Sequence, residues 1–188
     1  FPLAYAILMP AFYIPVIFML LGLIFRGVAF EFRFKANRSR IFWDYAFHFG
    51  SLAATFMQGM ILGAFVQGVR IDGRSFAGGP LDWLSAYSVM TGMALVFGYA
   101  LLGATWLVMK TDGITQDWAR RCAAYVLGYV GLFLVIVSVS MPIMNPAVKT
   151  LWFSMPTLLH LLPIPLVTAA CFVMIWRDLH AGHEHRPF

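Results

Sequence analysis

The chain has 188 residues, 61% of them hydrophobic and 11% charged, with a formal net charge of +5. Soluble domains carry about 25% charged residues, and a domain this small cannot withdraw so much apolar surface from water. The composition excludes a water-soluble globule, and the basic balance, spread over separate loops, gives no reason to expect a nucleic-acid partner.

A bilayer core of about 30 Å is crossed by about 20 apolar residues in a helix. Five stretches qualify: 3–25, 46–69, 83–109, 123–141 and 155–176. They predict an all-α, polytopic membrane helix bundle, folded as one integral-membrane domain. Short alternating strands of a membrane β-barrel are not seen. The start, "FPLAYAILMP", lacks Met and a charged leader, and the end, "RDLHAGHEHRPF", is a polar loop, so the chain is expected to be an internal piece of a longer one.

The first span ends in "GLIFRGVAFEFRFKANRSR" (22–40), where Arg26 stands before the apolar run is over. Residues 3–25 make a helix of about 34 Å, which places Arg26 at the membrane boundary. It either snorkels to lipid headgroups or turns toward protein. Gly22, Arg26, Phe30 and Arg33 share one helical face, and Gly22 lets another helix approach it. Glu31 and Lys35 are spaced as an i,i+4 pair, so the helix is expected to run on past the membrane.

The second span carries Asp44, His48, Ser51, Thr55 and Gln58 at spacings of 4, 3, 4 and 3, which puts all five on one helical face. Polar groups are costly in a bilayer and face protein or water. Two readings stay open: a hydrophilic track for water and protons, or polar contacts gluing helices together. Gly59-x-x-x-Gly63 on the same helix predicts close packing. The acids all lie in loops or near span ends, so a complete proton wire is not expected from this chain alone.

The loop "RIDGRSFAGGPLDW" contains the turn signals Asp72-Gly73 and Gly78-Gly79-Pro80. Asp82 is the expected N-cap of the third span. Pro142 and Pro146 are expected to stop the fourth. Pro156, Pro163 and Pro165 crowd the fifth.

Ten cations fall in the segments around 26–42, 110–121 and 177–188, against Arg70, Arg74 and Lys149 on the other side. The positive-inside rule makes the basic loops 31–42, 110–121 and 177–188 cytoplasmic. Trp43, Trp83, Trp106, Trp152 and Trp176 suit the aromatic belts at span ends. Cys122 and Cys171 read as reduced thiols.

Nothing here predicts a cofactor or metal bound by the chain itself. His48 and His160 belong to opposite membrane sides and cannot share one heme. The "HAGHEH" tract (180–185) has metal-ligand residue types but reads as a solvated tail. No phosphate loop, nucleophile elbow or paired catalytic carboxylates appear, so no residue is assigned as catalytic.

"GLIFRGVAFEFR", then "WDYAFHFGSL", then "GYALLGATWLVMKT", resemble subunit II of the cytochrome bd-type quinol oxidases. The Phe25–Arg33 run is the most specific part, and the resemblance covers essentially the whole chain. Family members have more spans than five, so it implies a central piece. It also implies a complex of the bacterial cytoplasmic (inner) membrane that oxidises ubiquinol or menaquinol, reduces oxygen to water and is electrogenic. Hemes b and d would sit in the partner, subunit I. This subunit would bind no heme, support assembly, and line a cytoplasmic proton path on which Arg26 lies. Partners would be subunit I, membrane lipids and quinol, with a structural quinone as a further expectation. The alternatives are a piece of a secondary transporter or permease, and an assembly scaffold without a proton role.

Overall fold

The computed structural model describes residues 1–155 and 157–181. The described residues form seven helices and one small hairpin: α1 (Pro2–Lys35), α2 (Arg40–Gln67), β1 (Ile71–Asp72), β2 (Ser75–Phe76), α3 (Ala86–Lys110), α4 (Ile114–Met144), α5 (Pro146–Phe153), α6 (Thr157–Leu161) and α7 (Pro163–Ala181). Five segments are long and apolar enough to cross a bilayer: Pro2–Lys35, Arg40–Gln67, Ala86–Lys110, Ile114–Met144 and Thr157–Leu179. The fold is all-α and polytopic. Large apolar side chains stand exposed on every span, among them Phe18, Leu52, Leu102, Leu132 and Val167, as expected for helices whose solvent is lipid. The chain divides into two compact units, Phe1–Val96 and Phe97–Phe188.

The first unit is organised by an antiparallel hairpin of α1 and α2, closed by the short turn between Lys35 and Arg40. In the middle of its seam, around Gly22 and Gly50, the two backbones meet directly. A Cβ placed on Gly22 would sit 2.7 Å from the Gly50 carbonyl oxygen and 3.0 Å from the Ala54 nitrogen. In a bilayer, where helix association depends on close van der Waals packing, such small-residue contacts let two backbones meet. The seam keeps one register. Arg33 meets Asp44, Arg26 meets Gly50 and Gly22 meets Ala54, while Phe12 and Ala64 share a cluster with Ala11, Met60 and Trp83. Each α1 residue faces the α2 residue about equally far from the turn.

Gly59 and Gly63 serve the next interface, as the Gly-x-x-x-Gly spacing predicts. A Cβ on Gly59 would lie 2.7 Å from Gly92 Cα, and one on Gly63 would overlap Thr91. The Thr91 hydroxyl lies 3.0 Å from the Gly59 carbonyl and 2.8 Å from that of Ser88 in its own helix, so its single proton is shared between them.

The start of α3 differs from the sequence expectation. Asp82 is not the N-cap. It lies in a turn, its backbone N–H donating to Gly79, and its carboxylate stands 3.9 Å from Arg70. Ser85 caps the helix: its Oγ accepts from the Ser88 N–H at 3.0 Å, and Ser88 Oγ accepts from the Ser85 N–H at 2.9 Å. This is a reciprocal box built from two serines. Asp82 is three residues too early because Trp83 is drawn into the core, its indole N–H donating to the Pro80 carbonyl at 2.9 Å. Ser85→Ala should cost about 1 kcal/mol, readable as a lowered unfolding temperature in detergent, with Asp82→Ala having the smaller effect. The Asp72-Gly73 signal becomes a hairpin, Ile71 pairing with Phe76 and Asp72 with Ser75. Gly73, at φ +59°, stands at the first central position, where a II′ turn needs glycine.

In the second unit, Ala104, Ala123, Leu127 and Leu179 form the buried cluster. Phe97 stacks on Tyr129 and Phe133. The Gln116 side-chain amide donates to the Val108 carbonyl at 3.0 Å, serving one of the open carbonyls at the end of α3. Pro142 does not stop α4, which continues through it to Met144, whereas Pro146 begins α5. The fifth span is broken rather than continuous: α6 ends at Leu161 and α7 starts at Pro163. Pro163 and Pro165 have no N–H to offer the preceding turn. Pro156 and the end of the "HAGHEH" tract, His183 to His185, lie outside the described residues.

Candidate functional site

The polar side chains singled out in the sequence start at the turn end of the α1–α2 hairpin and run up α2. Because α1 runs on to Lys35, its last turns lie beside the first turns of α2. Arg33 Nε donates to the Asp44 carboxylate across the turn. His48, one turn further along α2, has Nδ1 2.6 Å from the Asp44 backbone carbonyl. That contact places the proton on Nδ1 and leaves Nε2 as the free ring nitrogen. Arg33, Asp44 and His48 are thereby joined in one cluster at the hairpin end.

Arg26 lies two turns deeper. Its backbone belongs to the seam, since a Cβ on Gly50 would come within 3.1 Å of the Arg26 nitrogen. Its side chain is exposed, and the guanidinium stands 5.8 Å from the centroid of the Phe47 ring. Cation–π contact of this kind holds an arginine at about 0.5–2 kcal/mol, more as water is removed. Among the described residues no carboxylate pairs with Arg26, and Glu31 and Lys35 do not pair with each other. The expected i,i+4 bridge is not made; both side chains are exposed, where such a pair gains little.

The remaining stripe residues follow Asp44 and His48 up α2. Ser51 and Thr55 are half-buried and Gln58 is exposed. Ser51 Oγ is shielded from solvent and has no hydrogen-bond partner among the described residues. The face of α2 that packs inside this unit is the other one, Gly50, Ala54, Gly59, Met60, Gly63 and Ala64. The stripe therefore flanks the seam instead of filling it. Sequence reasoning found the stripe and Arg26 but missed the Arg33–Asp44 pair and Phe47. Both follow from the tight turn, which fixes the register of the hairpin and so sets Arg33 opposite Asp44.

The Arg33–Asp44 pair is about half exposed on both sides, 50% and 42%, so it should clip the turn without carrying the fold. A double-mutant cycle with Arg33→Gln and Asp44→Asn is expected to give a coupling of at most about 1 kcal/mol. A coupling several times larger would mean the pair is enclosed in the assembled protein.

Comparison with known proteins adds the decisive observation. The family model for cytochrome bd terminal oxidase subunit II matches residues 1–188. This chain belongs to that family. Among curated relatives, cytochrome bd ubiquinol oxidase subunit 2 of Bacillus subtilis (strain 168) is 32% identical over 133 residues, 69% of this chain and 39% of the relative. Cytochrome bd-I ubiquinol oxidase subunit 2 of Escherichia coli (strain K12) is 30% identical over 119 residues, 60% of this chain and 31% of the relative. A probable cytochrome oxidase subunit 2 of Haemophilus influenzae is 28% identical over 126 residues, 63% of this chain and 33% of the relative. The chain thus spans well under half the length of the curated relatives it matches. For a subunit II chain, the five membrane-length helices are in keeping with a multi-pass membrane protein.

Proposed function

We propose that this subunit II chain works within a quinol oxidase complex of the bacterial cytoplasmic (inner) membrane. The observation that carries the reading is the family match along the entire chain. In that complex a heme-bearing subunit I holds hemes b and d, quinol is oxidised, and oxygen is reduced to water in an electrogenic reaction. The chain itself binds no heme and performs no chemistry on substrate. Its two units belong to one membrane domain, oriented with the basic loops 31–42, 110–121 and 177–188 in the cytoplasm.

The stripe of Asp44, His48, Ser51, Thr55 and Gln58, together with Arg26, organises water on the cytoplasmic half of the subunit. What supports this is geometry. The stripe lies off the packed face of α2, Ser51 Oγ has no hydrogen-bond partner among the described residues, and the contact of His48 with the Asp44 carbonyl engages Nδ1 rather than Nε2. Arg26, with five donors in a fixed fork, is held by Phe47 and free to order water or an acidic group.

One observation favours the scaffold reading without a proton role. Asp44, the stripe's only carboxylate, is already engaged by Arg33 across the hairpin turn, a contact that serves the fold. Deleting the native gene and restoring it in a strain whose other terminal oxidases are removed tests the main reading. Loss of quinol-driven oxygen uptake by the membranes, and its return on complementation, is expected. Uptake indifferent to the gene would refute it.

A further inference from the structure

In the second unit, α4 ends at Met144, Asn145 is extended at φ −125° and ψ 101°, and α5 leaves in a new direction from Pro146. The angle between them encloses a groove of about 600 Å³. Val139, Pro142 and Ile143 line one side, and Trp152 and Phe153 the other. Lys149 is the one charged residue of the lining.

Lys149 is isolated in charge. No Asp or Glu occurs between Asp117 and Asp178, and Lys149 is the only Lys or Arg between Arg121 and Arg177. Among the described residues it joins no salt bridge. It sits eight residues or fewer from Trp152 and the end of a membrane-length helix, so it belongs at the bilayer interface. An ammonium there seeks an anion at headgroup level, while the apolar walls beside it suit a hydrocarbon chain. A cation at the rim of an apolar groove complements one chemistry at that level: an anionic amphiphile.

We propose that this groove binds one anionic phospholipid, its acyl chain lying along Val139, Pro142 and Ile143 and its phosphate held by Lys149. The site depends on the chain being a membrane protein and not on its oxidase role. Trp152 covers the chain at the interface, and α5 acts as the clasp that keeps the lipid against the end of α4.

The test uses the full-length native protein with its co-purifying partner, stripped of lipid in detergent and titrated with phosphatidylglycerol or phosphatidylcholine under native mass spectrometry. Wild type is expected to take up one tightly held phosphatidylglycerol at concentrations at least tenfold below those needed for phosphatidylcholine. Lys149→Gln should erase that preference, Lys149→Arg should keep it, and Val139→Trp, which fills the groove, should remove the tight adduct for both lipids. Equal uptake of the two lipids by wild type would overturn the proposal, as would an unchanged phosphatidylglycerol adduct in Lys149→Gln and Val139→Trp. The adduct is counted whether or not the preparation contains heme, so a failure here and a failure of the oxidase reading are separate results.

Discussion

Gly50→Val should cripple accumulation of the intact protein, lowering the yield of folded, monodisperse material several-fold. The reason lies in what the added atoms would meet. A single Cβ at Gly50 would stand 2.6 Å from the Gly22 carbonyl oxygen, 3.1 Å from the Arg26 nitrogen and 3.2 Å from Phe25 Cβ. Two of these are backbone atoms in the middle of a helix and cannot rotate aside. The α1–α2 hairpin would have to separate, and overpacking of this kind costs about 1–3 kcal/mol or more. Gly27→Ala provides the contrast. It lies on the same helix as Gly22 with nothing within 4 Å of the added Cβ, and alanine is the better helix former by about 1 kcal/mol. That variant should match or exceed wild type in thermal stability. If Gly50→Val were as stable as Gly27→Ala, the small-residue seam would not be what holds the hairpin.

Arg26→Ala should slow quinol-driven oxygen uptake about tenfold, equivalent to about 1.4 kcal/mol of barrier, with heme content unchanged. The expectation rests on position. Arg26 adjoins the seam through its backbone, yet its guanidinium is exposed and lies over the exposed Phe47 ring, outside the packed seam. Removing it should therefore spare folding and affect only what it orders. Arg26→Lys keeps the charge but not the planar fork, so activity should be intermediate. Full activity in the lysine variant would mean that charge alone suffices. Loss of heme in Arg26→Ala would instead assign the arginine to assembly with the heme-bearing subunit.

Much of the fold was legible in the sequence because hydropathy over a bilayer-length window is a long-range signal that no local contact can cancel. All five spans could be read in that way, while the extension of α1 beyond Arg26 and the Gly59–Gly63 interface were read from residue spacing along a helical face. What could not be read depends on short-range competition. Asp82 was a reasonable cap by residue type, but the burial of Trp83 moved the helix start to Ser85. Pro142 was tolerated inside α4, whereas Pro163 began a new helix; composition alone does not rank prolines. The polar stripe was visible by its spacing, while its side neighbours, Arg33 against Asp44 and Phe47 against Arg26, required the turn to be closed first.

The oxidase reading is tested most directly by the full-length native protein, tagged on this subunit and purified in mild detergent from its own membranes. A reduced-minus-oxidised absorbance spectrum is recorded on whatever co-purifies, together with oxygen uptake on added quinol. A combined b- and d-type heme spectrum, with oxygen uptake driven by quinol, is the predicted result. A heme-free preparation without a partner subunit and without oxygen uptake, from cells grown at low oxygen, would contradict it.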